Sequence, residues 1–112
     1  MKIENNGPRC LSGKEKIMVK NYGFDVMVDD NWDKINAAIQ RLKTDNPYDI
    51  QQFCLDIALV DTFPDIEKKC FTEKDIDKIK IIAYETCEPI IVFTNMIGLI
   101  IRDKYFEENS II

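Results

Sequence analysis

The sequence predicts a mainly α domain, a small bundle of about four helices with a short β-hairpin at its N-terminal end. Three observations carry this. From Trp32 onward apolar residues recur at spacings of three and four, capping residues stand just ahead of those stretches, and residues 24 to 28 alternate instead. With 112 residues, 46% of them apolar, the chain can bury one core without metal or disulfide staples and has no length for a second domain.

Residues 1 to 13, with Asn5, Asn6, Gly7, Pro8, Ser12 and Gly13, read as a flexible arm. The domain is expected to span 14 to 108, with a tail at 109 to 112. Lys14 to Lys20, the turn-formers Asn21 to Gly23, and Phe24 to Val28 form the expected hairpin, since Phe24, Val26 and Val28 alternate with Asp25 and Met27. Two strands alone are marginal in water, so this hairpin would have to lean on helices.

Asp29, Asp30 and Asn31 suit an N-cap, and Trp32, Ile35, Ile39 and Leu42 then predict a helix over 31 to 43. Asn46 and Pro47 open the next, over 47 to 61, with an inward stripe of Ile50, Phe53, Cys54, Ile57 and Ala58. Pro64 ends it, and residues 64 to 69 have room for a single turn. Thr72 caps a third helix over 73 to 87, where Glu73 and Asp75 meet the positive end of the helix dipole.

Residues 88 to 107 suit a helix or buried strands. The spacing of Thr94, Gly98 and Arg102 by four gathers small and polar residues on one narrow face and decides for a helix; otherwise the end of the chain is a second hairpin and the fold α+β. Pro89 then leaves open two packed helices or one kinked rod. The apolar run from Pro89 to Ile101 is shorter than the roughly 18 to 20 residues of a membrane-spanning helix.

Chemistry is limited by what is missing. The chain has no histidine, which removes the commonest general base and metal ligand and every Ser-His or Cys-His pair. Ser12 and Ser110 both fall in expected tails, and no phosphate-cradling glycine motif occurs. Asp29, Asn31 and Asp33 alternate as in a calcium loop, but Lys34 stands where that loop needs glycine and Gln40 where it needs glutamate. No cofactor is therefore expected. Cys10, Cys54, Cys70 and Cys87 include no CxxC pair and read as reduced thiols, with Cys54 and Cys87 as small buried hydrophobes. Cys10 beside Arg9 would need a rigid setting to act as a nucleophile. Trp32 reads as a core anchor, against the alternative of an exposed hot spot, and Tyr48, Tyr84 and Tyr105 as core or rim. With no apolar leader at residues 1 to 16, the expectation is a cytoplasmic protein.

The net charge of −5 is uneven: residues 25 to 77 hold thirteen acids against six bases, and no basic stripe exists to neutralise nucleic-acid phosphates. In its richness in lysine, asparagine and isoleucine the chain resembles accessory proteins of low-GC bacteria and their phages. The expectation is a non-enzymatic interaction module, an adaptor, chaperone or inhibitor. It would bind a basic protein partner through Asp45, Asp49, Asp56, Asp61, Asp65, Glu67, Glu73, Asp75 and Asp77. The alternative is an assembly protein that forms homo-oligomers through its apolar helix 88 to 107.

Overall fold

The computed structural model describes residues 10 to 59 and 70 to 109. Six helices and no strand occur among them: α1 (Gly13–Tyr22), α2 (Phe24–Asp30), α3 (Trp32–Arg41), α4 (Pro47–Ala58), α5 (Glu73–Thr86) and α6 (Ile90–Asn109). The turn expected at residues 64 to 69 lies outside the described residues, as does the chain before Cys10.

The N-terminal hairpin is not present; α1 and α2 take its place. Ser12 and Glu15 form a reciprocal capping box, the Glu15 amide donating to Ser12 Oγ at 3.1 Å and the Ser12 amide to Glu15 Oε1 at 3.0 Å. Two orphan donors are thereby satisfied, and the helix starts inside the expected arm. Leu11 also packs against the core. Gly23 does turn the chain, but at φ 73° and ψ 24° as the left-handed cap of α1, its amide donating to the Lys20 and Val19 carbonyls. Its own carbonyl accepts the Met27 amide at 3.0 Å and opens α2. In α2 the buried set is Phe24, Met27 and Val28, at helical spacing, while Val26 is 58% exposed. The apparent alternation was a coincidence of two periods sharing Phe24 and Val28.

The remaining helices follow the sequence closely. Asn46 Oδ1 accepts the Tyr48 amide at 2.9 Å ahead of Pro47, and Thr72 Oγ1 accepts the Asp75 amide at 3.2 Å. α4 ends at Ala58, three residues short of the expected 61. Between α5 and α6 the chain breaks cleanly: Cys87 takes a left-handed conformation (φ 58°) and α6 resumes after Pro89, so these are two packed helices.

α6 is the axis of the fold. Its Phe93, Met96, Ile97, Leu99, Ile101, Tyr105 and Phe106 are all buried, and α1, α2, α4 and α5 pack around it. Thr94, Gly98 and Arg102, gathered as expected on one face, point inward and are themselves buried. Gly98 explains why: a β-carbon there would meet Leu55 and the Cys54 carbonyl of α4, so small size lets the two backbones approach. Tyr22, Phe24 and Phe93 form an aromatic cluster with centroids 5.6 to 6.1 Å apart, pinning the α1–α2 corner onto α6. At the other end Trp32 packs half-buried against the core and donates from Nε1 to Glu108 at 3.0 Å, with Lys104 Nζ 5.0 Å above its ring. Trp32 is thus an anchor between α3 and the end of α6.

Candidate functional site

Among the described residues, two open depressions bear on the residues marked in the sequence. The first lies where α3 turns into α4. Asn46, the cap of α4, donates its amide to Thr44 Oγ1 at 3.2 Å, which fixes the corner, and Asp49, Gln52, Phe53 and Asp56 then follow at spacings that place them on one side of α4. Together with Leu42 and Thr44 they bound a depression of about 380 Å³. Leu42 caps α3 rather than continuing its buried stripe and is 38% exposed; Phe53 is half-buried. Gln52 Nε2 donates to Asp56 Oδ1 at 3.2 Å, which orients that carboxylate. Among the described residues no basic side chain lines this depression.

The second, of about 950 Å³, lies between the α2–α3 corner and α5, over Ile81 and Ile82. Its rim is of mixed sign: Asp30, Asp75 and Asp77 alternate with Lys74 and Lys78. Asn31 at its base is buried, and its Nδ2 donates to the Met27 carbonyl at 2.8 Å and to Asp75 Oδ2 at 3.0 Å. Asp75 is therefore engaged inside the fold as well as facing the groove.

The acidic residues marked in the sequence divide accordingly. Asp49 and Asp56 share the first depression, Asp75 and Asp77 the second, and the two have no lining residue in common. Asp45 is exposed in the corner before α4 and Glu73 is exposed in the first turn of α5. Asp61, Asp65 and Glu67 lie outside the described residues.

No family model, curated protein or solved structure matches this chain.

Among the described residues no three cysteine or acidic side chains gather as metal ligands. In the calcium-like stretch, Asn31 is committed to Met27 and Asp75, and Asp29 faces Lys104 Nζ at 3.4 Å. Burial pulls the Lys104 amine down, but its hydrogen bonds to Glu108 and Asp29 and their charges outweigh that and hold it above its ordinary value. Cys54 is fully buried, and burial pushes its thiol up to about 12 against the pull of Arg102, so it is chemically inert. Cys87, expected in the core, is exposed: as the left-handed cap it leaves the apolar stripe of α5. Arg102 is only 2% exposed, donates to Asp103 and to Cys10 Sγ, and lies 4.8 Å over the Phe106 ring. Among the described residues no helix is long and apolar enough to cross a membrane.

The groove residues Leu42 and Phe53 were not legible as surface features, because each continues an apolar period that elsewhere marks the core.

Proposed function

We propose that this domain is a non-enzymatic interaction module, working as an adaptor, chaperone or inhibitor, that captures a basic protein partner through acidic residues between 45 and 77. The observation that carries the reading is the first depression, where Asp49 and Asp56 flank apolar Leu42 and Phe53 with no base among its lining. An apolar contact ringed by one sign of charge suits partner choice and fast association. The absence of histidine from the chain supports a role without acid–base chemistry.

The test is a tagged pull-down at about 50 mM and about 500 mM salt, a span over which the Debye length shrinks severalfold. The wild-type chain is compared with a D45N/D49N/D56N variant. A partner held by the wild type at low salt, released at high salt and missed by the variant supports the reading. A partner retained equally by the variant refutes it.

The alternative, self-association through residues 88 to 107, has less support, since α6 spends its apolar faces on α1, α2, α4 and α5. Light scattering on the purified chain separates the two.

A further inference from the structure

α5 turns Ile76, Ile79, Ile82 and Ala83 into the core and, among the described helices, packs chiefly on α6, which leaves its other side in solvent. On that side Lys78, Ile81, Tyr84 and Glu85 follow at spacings of three and four, and all are exposed, Ile81 at 56% and Tyr84 at 86%. Tyrosine is among the residues that most often carry binding energy at an interface, and here it stands beside a large exposed aliphatic residue. The charges are sorted along the stripe: Lys74 and Lys78 precede Ile81, Glu85 follows it, and Glu88 lies just past the helix end. Glu85 is in the last turn of α5, where the helix dipole disfavours an acid, so its position does not serve the helix that bears it. Among the described residues neither Lys78 nor Glu85 forms an ion pair. Lys74 and Asp77, three residues apart on the groove side, offset each other.

This order of charges selects an occupant. A basic surface laid along the stripe would meet Lys74 and Lys78, and an acidic one Glu85 and Glu88. A surface that suits both ends carries an acid, an apolar residue and a base in the reverse order, and this same stripe has that order when it is turned end for end. Two copies related by a two-fold axis through Ile81 set Ile81 against Ile81. Lys78 lies three residues before that point and Glu85 four after it, about 4.5 and 6 Å along the helix. Each Lys78 therefore comes level with Glu85 of the other copy, and the symmetry makes the pair twice. Tyr84, three residues after Ile81, comes level with Lys78 of the other copy, where its ring offers the ammonium a face. We infer that α5 docks antiparallel on α5 of a second copy of this chain, with Ile81 and Tyr84 at the centre and a Lys78–Glu85 pair on either side. The contact is confined to one helix of 14 residues, so the dimer is weak and concentration-dependent. None of these four residues lines the α3–α4 depression, so each copy keeps its Asp49 and Asp56 surface and the dimer presents two of them.

Sedimentation velocity of the full chain over a concentration series tests this, at about 100 mM salt, where net charge is screened beyond roughly 10 Å. The wild type is expected to pass from monomer to dimer as concentration rises. K78E and E85K each set like charges together at both ends, and each should weaken the dimer about tenfold or more, the order that two exposed ion pairs supply when lost and reversed. Mixed in equal amounts, the two variants should associate with each other at about wild-type strength, because each supplies the charge that the other lacks. The double variant K78E/E85K should dimerise for the same reason. I81S should weaken the dimer, whereas I91S, at an exposed position on α6, should leave it unchanged. A wild-type chain that stays monomeric up to about 1 mM would overturn the inference and leave the partner-capture reading standing. A dimer lost in I91S and kept in I81S would sink it in favour of self-association through residues 88 to 107. Single variants that fail to associate when mixed would refute the antiparallel order.

Discussion

A β-carbon at Gly98 would stand 2.6 Å from Leu55 Cδ2 and 3.0 Å from Leu55 Cα, so α6 crosses α4 at a separation that glycine alone permits. Alanine at 98 would gain up to about 1 kcal/mol of helix propensity, but the Leu55 backbone cannot rotate away, and overpacking costs about 1 to 3 kcal/mol. G98A should therefore be destabilised by about 1 kcal/mol and G98V by more, read from urea midpoints at unchanged slope. A more stable G98A would show that the two helices slide apart freely.

Asn31 and Asp75 join the α2–α3 corner to α5 through a bond that begins on a buried amide. Removing that amide in N31A leaves the Met27 carbonyl and Asp75 without it, a loss of about 1 to 3 kcal/mol. N31D is more informative. Its buried carboxyl would face Asp75, which raises its folded pKa, so its penalty is small in acid and grows as pH rises above about 4. Comparing melting temperatures of N31A and N31D from pH 3 to 7 checks this; parallel curves would refute it.

Alkaline pH should unfold the domain. Cys54 is held up to about 12 by burial, and burial likewise raises Cys70 and Tyr105. The unfolded thiol ionises near its ordinary value of 9.0 while folded Cys54 stays protonated, so stability is intact below about pH 9 and falls between there and about pH 12, and the raised Cys70 acts in the same direction. Cys54 alone contributes a slope of up to about 1.4 kcal/mol per pH unit. C54A should flatten the pH dependence of stability whatever its effect at neutral pH. In the native protein a thiol reagent should modify Cys10 and Cys87, and reach Cys54 and Cys70 only on unfolding.

Cys87 holds a left-handed backbone at φ 58° and ψ 33°, which is costly for a residue with a β-carbon. Because its side chain is exposed, C87G should gain about 0.5 to 1 kcal/mol. That corresponds to a rise of a few degrees in melting temperature. An unchanged melting temperature would mean that the thiol makes a compensating contact.

The fold was legible wherever local chemistry and long-range packing agree. Asn46 with Pro47, and Thr72 with Asp75, announce helices that the core then uses. It failed at residues 14 to 28, where a seven-residue helix is too short to display its period and Phe24, Val26 and Val28 mimic a strand. The capping box of Ser12 and Glu15 was the readable counter-signal. At the candidate site the spacing of Asp49 and Asp56 already put them on one side of their helix, but the depression they share with Leu42 was hidden, because it needs the corner at Thr44 and Asn46. The inward aim of Arg102 was equally hidden: polarity along a helix marks a distinct face without saying which way it looks.

The central place of α6 sets an order on synthesis. Among the described elements it leaves the ribosome last, yet α1, α2, α4 and α5 all lean on it. Until Ile90 to Phe106 emerge, Phe24, Ile50, Cys54 and Ile79 have lost a major part of the cover that buries them. In the nascent chain these core residues therefore stay uncovered until α6 emerges, and the described helices can close into one unit only then.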